Sequence, residues 1–221
     1  RTFALYQKKK NKLNPYHLSR LDLAYGGRAK EGRKTRDIIN KSKGIIMVYD
    51  WLLFPGYFHS TCGGHTEDVN LVFKEKSIPP LSGVHCENCV ASKYYRWETS
   101  IDKNEFARKL SHYKVKVSRT LSVKPIEPGK GGHATTISVR DSSGTKNIEA
   151  NTFRLLIGPN KLYSTSFYAQ NNKDSIRFTG RGWGHGVGLC QYGAQKMGSL
   201  GSKWYEILKH YYPKIDLVKI Y

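Results

Sequence analysis

Nine residues near the C-terminal end, Gly180 to Gly188, constrain the chain more than any other segment. Five glycines alternate there with other residues in the sequence Gly-Arg-Gly-Trp-Gly-His-Gly-Val-Gly. Because glycine has no Cβ, a backbone this rich in it can adopt positive φ angles and approach another group closely. A helix is predicted directly after the loop, and the free N–H groups at a helix N-terminus favour anions. The segment is therefore a candidate ligand-binding loop.

The side chains between the glycines narrow the choice of ligand. The spacing matches neither a P-loop nor a dinucleotide-binding fingerprint, and no apolar parallel strand precedes it, which disfavours phosphate. Together Arg181, Trp183 and His185 suit a sugar ring that carries a carboxylate. The indole can stack on the ring, the guanidinium can bind the carboxylate with two hydrogen bonds, and the imidazole can gain or lose a proton near neutral pH. The alternatives are a structural turn with Trp183 in the core and a purely structural His185.

Three of the four cysteines fall in pairs that have metal-ligand spacing. His59-x-x-Cys62 is followed, about two dozen residues later, by Cys86-x-x-Cys89. Two such pairs are typical of a structural zinc site, in which four thiolate or imidazole ligands close a tetrahedron. A filled site leaves no position for water. We therefore expect the ion to brace the loops and not to act as a Lewis acid.

This pattern leaves alternatives open. His65 and His85 are other candidates for the fourth ligand. A disulfide between Cys86 and Cys89 would also satisfy the second pair, with Cys62 merely buried. The third interpretation is that the three cysteines are unrelated small apolar residues.

A second turn that contains glycines covers residues 60–67, directly after His59. It carries hydroxyls at Ser60, Thr61 and Thr66 beside a single carboxylate. Glu67 is a candidate general acid or base. It equally suits the first turn of a helix or a hydrogen-bond anchor, and we favour these structural roles.

Periodicity predicts a mixed α+β fold, with a strand-rich core, flanking helices and a small β-rich inserted subdomain. The predicted helices are 1–12 (as a helix C-terminus), 104–111, 153–156, 189–197 and 203–212. The predicted strands are 44–49, 57–60, 94–98 and 175–179, the first two forming a hairpin, with a β-meander over 114–149. The domain prediction is a core formed by 1–101 and 151–221, with 102–150 inserted as the subdomain.

Charge points to an anionic partner. The 221 residues include 37 Lys and Arg against 17 Asp and Glu, a formal net charge of +20. That balance alone suits nucleic acid, an acidic lipid surface or an acidic polymer. Nucleic acid is disfavoured because no recognised motif is present and the basic residues are dispersed. No stretch approaches the roughly 20 apolar residues that span a bilayer.

Longer motifs carry a resemblance to a known family. They are residues 58–67 (FHSTCGGHTE), residues 83–98 with the second cysteine pair ahead of Tyr-Arg-Trp-Glu, and residues 180–194 with the glycine-rich loop. With the start RTFAL and the tail ILKHYYP, they resemble in the right order the stage II sporulation protein D family, also called the SpoIID/LytB domain. The resemblance covers essentially the whole chain.

This resemblance implies a cell-wall enzyme located outside the cytoplasm, in the periplasm or cell envelope. Family members are lytic transglycosylases that cleave peptidoglycan strands stripped of their stem peptides by an amidase, during sporulation or division. They leave anhydro-muramic acid ends, because the muramic-acid hydroxyl attacks the anomeric carbon while an acid protonates the glycosidic oxygen. One carboxyl group can serve as acid and then as base, unlike the two of ordinary glycosidases.

The resemblance also assigns site residues. The family's catalytic Glu precedes its Ala-Arg-Thr-Tyr helix end, so we expect the acid upstream of Arg1, together with any membrane anchor. Within the chain the catalytic residue is unknown, and Glu67 is the remaining candidate. Some members carry zinc near this segment, in agreement with the spacing of the cysteines. The motif positions predicted to bind substrate are Ser60, Gly63, Gly64, Thr66, Glu67, Arg181, Trp183, His185 and Gln191.

Two functional hypotheses follow. The first is a lytic transglycosylase acting on denuded glycan. The second is a glycan-binding or amidase-enhancing module of LytB type that does not cut. The expected partners are denuded glycan strands, a cell-wall amidase and other wall-remodelling proteins, and no nucleic acid.

Overall fold

The structure is a computed structural model that describes residues 1–10, 32–111 and 120–221. Both helices and strands, the latter in small sheets, occur in these ranges, which confirms the predicted α+β class. The helices are α1 (Thr2–Lys10), α2 (Arg33–Lys41), α3 (Val69–Phe73), α4 (Lys103–Ser111), α5 (Ala150–Ile157), α6 (Gln191–Ser199) and α7 (Trp204–Tyr211). The strands are β1 (Ile45–Val48), β2 (Phe58–His59), β3 (Trp97–Asp102), β4 (Thr120–Ile126), β5 (Thr136–Asp141), β6 (Gly144–Glu149), β7 (Phe167–Asn171), β8 (Ser175–Gly180), β9 (Leu189–Cys190) and β10 (Asp216–Lys219).

The chain divides into two compact units. The first is Arg1–Tyr57 with Lys214–Tyr221, and the second is Phe58–Pro213. In the first unit β1 pairs with β10 in antiparallel register. The N–H of Met47 donates to the Thr2 hydroxyl over 2.8 Å, which ties α1 to β1.

The second unit contains two three-stranded antiparallel sheets. Their strand orders are β3-β8-β7 and β4-β5-β6. Side chains along β8 alternate between buried and exposed, with Ile176 and Phe178 pointing inward, as expected for a strand with one buried face. Phe106 and Leu110, four residues apart on α4, pack into the same core. Strands of both sheets and helices α4 and α5 therefore share one hydrophobic cluster.

Several predicted elements are confirmed with shifted ends. The meander is β4-β5-β6, the predicted helix at 153–156 is the longer α5, and the strand predicted at 94–98 begins only at Trp97. Residues 11 and 12 of the predicted N-terminal helix, and residues 114–119 of the predicted meander, lie outside the described residues. The predicted domain boundaries stay a prediction.

The predicted hairpin of 44–49 and 57–60 is wrong. β1 pairs with β10, whereas β2 pairs in parallel with β9, and the two strands belong to different units. The chain instead turns sharply at Tyr49 and Leu52, which exchange two backbone hydrogen bonds of 3.0 Å. Propensity predicts that a strand forms but not which edge it joins, because the partner edges come from residues more than 100 positions away.

Of the helices in the described ranges, none is long and apolar enough to cross a bilayer.

Candidate functional site

The turn at 58–67 and the glycine-rich loop at 180–188 lie against each other. Thr61 and Trp183 exchange two backbone hydrogen bonds, of 3.1 and 2.7 Å. Farther along, the N–H of Glu67 donates to the carbonyl of Gly186 over 2.8 Å. The pairing of β2 with β9 continues this contact. The two segments that the sequence singled out therefore form one structural element, although more than 100 residues separate them.

The glycines of the loop make room for the protein's own side chains. A Cβ on Gly184 would lie 2.7 Å from the Cβ of His59, and a Cβ on Gly182 would lie 2.7 Å from the carbonyl oxygen of Thr61. A Cβ on Gly186 would overlap the imidazole of His133. We expected these glycines to let a ligand approach the backbone. They instead allow close packing within the protein, because other protein atoms already fill the space beside each of them.

We expect Gly186→Ala to destabilise the fold more than Gly201→Ala. Both glycines have positive φ, +81° and +96°, so both substitutions strain the backbone. Only Gly186 faces a buried ring, whereas nothing lies within 4 Å of Gly201. Overpacking adds about 1–3 kcal/mol to the cost at Gly186. Chemical denaturation of the two variants measures the difference, and equal losses would contradict the packing role.

Trp183 belongs to a partly exposed aromatic cluster. Its ring centroid lies 4.3 Å from that of Tyr94 and 6.0 Å from that of Tyr163, and the two tyrosine rings are 5.0 Å apart. All three side chains are half-buried, so the indole is not a core residue. Sequence reasoning gave neither tyrosine a role in the site, although Tyr94 lies in the 83–98 motif; Tyr163 lies in no motif. The cluster offers aromatic surface of the kind on which a sugar ring stacks.

His185 is held by the backbone on both ring nitrogens. Nδ1 accepts from the N–H of Val187 over 3.1 Å, so Nε2 carries the proton and donates to the carbonyl of Phe58 over 3.0 Å. Burial, together with the nearby His59, keeps its pKa well below the usual value. The ring is therefore neutral at pH 7, and the geometry favours the structural alternative over a switchable proton.

Glu67 is also engaged by the backbone. It is 2% exposed, and its two carboxylate oxygens accept from Gly131 N–H (2.9 Å) and Asp68 N–H (3.2 Å). Burial raises its pKa, and the N–H donors oppose that shift. The carboxylate thereby fixes the 128–132 loop, the first break in the meander, to the 58–67 turn. This is the anchoring role that we favoured from the sequence.

The other predicted substrate-binding residues divide into exposed and inward-facing groups. Arg181 and Gln191 are exposed, and Ser60 is half-buried. Thr66 is fully buried, and its hydroxyl accepts from the N–H of Val84 over 2.7 Å. Gly63 is buried and lies against Arg181. A Cβ placed on this glycine would be 2.7 Å from the Cβ of Arg181. Gly64, half-buried, lies near the Tyr95 hydroxyl.

Four buried cysteines form a candidate metal centre. The thiols of Cys62, Cys86, Cys89 and Cys190 lie within 4.8 Å of one another, and all four are free. The sulfur atoms of Cys62 and Cys89 lie 3.5 Å apart. In the described ranges this is the one group of Cys, His, Asp or Glu side chains close enough to hold a metal ion.

The fourth member of this group is Cys190 and not His59. The Nδ1 of His59 lies 3.1 Å from the carbonyl oxygen of Val187, and its Nε2 is buried without a partner. Of the two alternative ligands, His85 is exposed and His65 is half-buried. No spacing rule could have found Cys190, since it is a lone cysteine 101 residues after Cys89. Its one local signal is its position between the glycine-rich loop and α6.

Hydrogen bonds to the sulfur atoms fit metal-bound thiolates. Cys190 caps α6, and its sulfur accepts from the N–H of Gly193 at 3.4 Å and from that of Cys62 at 3.3 Å. The Tyr211 hydroxyl lies 3.0 Å from the sulfur of Cys86. Donors aimed at the sulfur stabilise negative charge there, and such groups orient the ligands of metal sites. The donor set and its surroundings therefore fit a thiolate-bound ion.

Comparison with known proteins places these motifs in a family. The model of a domain of unknown function, DUF8618, matches residues 72–188. Stage II sporulation protein D of Bacillus subtilis is 31% identical over 81% of this chain and 50% of its own length. The chain belongs to the DUF8618 family and is a SpoIID/LytB-type protein. The resemblance stated from the motifs is thereby confirmed.

Two further relatives extend the comparison. An uncharacterised protein of Brachyspira hyodysenteriae is 32% identical over 99% of the chain and 58% of its own length. An amidase enhancer of Bacillus subtilis is 26% identical over 87% of the chain and 34% of its own length. The chain thus spans about half, or less, of the curated relatives that it matches.

Proposed function

We propose that this SpoIID/LytB-type chain binds peptidoglycan glycan strands stripped of stem peptides and takes part in their cleavage as a lytic transglycosylase. The relatives' names support a cell-wall-related function. The observation that carries the finer proposal is the half-buried cluster of Trp183, Tyr94 and Tyr163, together with the exposed Arg181, whose carbonyl accepts from Ser164 next to Tyr163. Aromatic faces stack on sugar rings, and a guanidinium binds carboxylates.

Charge supports the same substrate. Removing a stem peptide frees the lactyl carboxylate of each muramic acid, so denuded glycan is a polyanion. A chain of net charge +20 attracts such a strand over long range, and salt screens that attraction. An extracytoplasmic location, and an amidase as the partner that supplies the substrate, belong to the same proposal.

Cleavage requires an acid, and Glu67 is poorly placed for it. Its carboxylate is buried and occupied by backbone N–H groups. We therefore assign proton transfer to an acid other than Glu67, which the family resemblance puts before Arg1. Binding without cleavage is the second candidate function, favoured by the amidase-enhancer relative. Mass spectrometry of amidase-treated glycan after incubation with the full-length protein separates the two, because only cleavage creates anhydro-muramic ends.

We infer that the four cysteines hold one structural zinc ion. Thiolates suit this borderline-soft cation, and four of them leave no open position for water. The ion would join the 58–67 turn, the segment around Cys86 and Cys89, and the start of α6. It would thereby fix these three segments relative to one another and would take no part in catalysis.

Trp183→Ala should weaken binding to denuded glycan by about 5- to 140-fold, because losing one aromatic stacking partner costs on the order of 1–3 kcal/mol. Trp183→Phe should restore most of the affinity. Trp204→Ala is the matched control, since Trp204 is also partly exposed but contacts Tyr205 and not the cluster. Pull-down or calorimetric titration measures the affinities. Equal losses in Trp183→Ala and Trp204→Ala would argue against this cluster as the glycan site.

A further inference from the structure

Arg154 is a buried cation that has no acidic partner among the described residues. It lies on α5 with 8% of its surface exposed, and its Nε donates to the carbonyl of Tyr163 over 2.9 Å. Among the described residues no carboxylate lies within ion-pair distance, and neither Nη atom has a hydrogen-bond partner. Of the residues outside the described ranges, 112–119 contain no Asp or Glu, whereas 11–31 contain Asp22 and Glu31.

The charge on Arg154 persists at neutral pH. Burial lowers the pKa of its guanidinium to about 10, which still leaves it protonated at pH 7. A buried charge is costly unless it is paired, and proteins rarely bury arginine otherwise. Its Nη atoms have no hydrogen-bond partner among the described residues but are not fully buried, so they keep some contact with solvent. An anion can therefore complete the arrangement.

The groups near Arg154 include the buried His133 and the exposed Arg181, and the Glu67 carboxylate is held on the adjoining 128–132 loop by the N–H of Gly131. Burial lowers the pKa of His133 to about 3, and the charges of Arg154 and Arg181 act in the same direction. His133 is thus a neutral ring close to both guanidinium groups. The Arg181 side chain has no hydrogen bond or ion pair among the described residues, and its Nη2 would lie 3.0 Å from a Cβ on Gly132.

Arg154 also lies directly beneath the glycine-rich loop. The carbonyl of Tyr163 that accepts from Arg154 accepts as well from the N–H of Gly184, at 3.0 Å. Tyr163 contributes its ring to the aromatic cluster around Trp183. The next residue, Ser164, donates its hydroxyl to the carbonyl of Arg181 over 2.5 Å. One short segment therefore connects the buried arginine, the exposed arginine and the aromatic cluster.

We propose that Arg154 and Arg181 form a subsite for a carboxylate carried on a sugar, beside the aromatic cluster at Trp183. The proposal rests on the glycan-binding function above and names the chemical group that the site selects. Guanidinium groups match a carboxylate through bidentate hydrogen bonds, and a desolvated guanidinium favours the charged ligand over its neutral analogue. Muramic acid in denuded glycan carries such a group on its lactyl substituent, whereas N-acetylglucosamine does not.

The test compares two soluble oligosaccharides of equal length on the intact chain. One is denuded glycan with free lactyl carboxylates, and the other is a chitooligosaccharide, which has the same N-acetylated backbone but no carboxylate. We expect the wild type to bind the acidic oligosaccharide about 10- to 100-fold more tightly, as for one charge-assisted bidentate contact. Arg154→Gln and Arg181→Gln should each lower this ratio by about tenfold, as for the loss of one charge-assisted contact, while binding to the chitooligosaccharide persists.

A matched control separates a local subsite from bulk charge. Arg140→Gln removes one positive charge from an exposed position on β5 and should leave the ratio unchanged. If Arg154→Gln fails to fold, as judged by circular dichroism, then Arg181→Gln decides, because Arg181 is exposed. A wild type that binds both oligosaccharides equally, or an equal loss in Arg140→Gln, overturns the subsite. A wild type that binds neither overturns the proposed function itself.

Discussion

Cys190→Ser is expected to release the zinc ion that we propose for the four cysteines and to lower the free energy of unfolding by several kcal/mol. Zinc binding in zinc-finger peptides contributes about 10–16 kcal/mol, and losing one thiolate forfeits much of it. Further destabilisation comes from losing the sulfur that accepts from Gly193 and Cys62. Metal content per chain, measured by mass spectrometry on protein purified under reducing conditions, gives the direct result, and thermal unfolding gives the stability.

The control for this experiment is His59→Asn. His59 was the fourth ligand predicted from spacing, and asparagine can keep a polar atom near the carbonyl of Val187. We expect the variant to retain its metal, because the thiol group closes without this imidazole. Metal loss in His59→Asn with retention in Cys190→Ser would reinstate the ligand set of three cysteines and His59. A wild type without metal, and with a disulfide instead, would refute the site.

Acidification from pH 7 to pH 5 should destabilise the protein through its buried histidines, which include His59, His133 and His185. Burial lowers the pKa of His59 to about 4 and that of His133 to about 3, whereas an unfolded histidine titrates near 6.5. Between these values the unfolded state binds more protons, so the free energy of unfolding falls as pH falls below about 6.5. His59 and His133 each contribute roughly 2 kcal/mol over this interval.

Urea denaturation at a series of pH values measures this slope. His133→Asn should reduce this slope by the equivalent of about one bound proton, because asparagine does not titrate. Asparagine can also keep the contact with the Thr165 hydroxyl, which lies 3.0 Å from Nδ1 of His133. Metal content is measured at each pH, and only samples that keep their metal are compared. Wild-type stability that stays flat from pH 7 to pH 5, or an unchanged slope in His133→Asn, would contradict the assignment.

Sequence reasoning succeeded where the signal is local. The break at 128–132 and the β-branched runs around it predict β4-β5-β6, because turn chemistry and a period of two determine hairpin register over a few residues. Cys86-x-x-Cys89 predicts two ligands of one group for the same reason, since two residues between ligands bring both side chains to one point.

The failures involve residues that are far apart in the chain. β1 found its partner in β10, and Cys190 joined three cysteines that lie 101 or more positions before it. Arg154 had no signal beyond an arginine inside the apolar stretch Phe153–Ile157. Each outcome depends on which surfaces meet when the core forms, and local propensity contains no term for that choice.

For this protein the sequence alone determined the α+β class, the family, and the two motif segments that the fold brings together. Periodicity, turn residues and short motifs suffice for these, because each of these signals is contained in a few neighbouring residues. Only the tertiary structure decided what the motif residues do. It turned the loop's glycines into packing sites for His59 and His133, made Glu67 an anchor, and buried Arg154 with no acidic partner in the described part of the chain. The physical reason is that burial and hydrogen-bond partners set the role of a polar side chain, and both are properties of the packed chain.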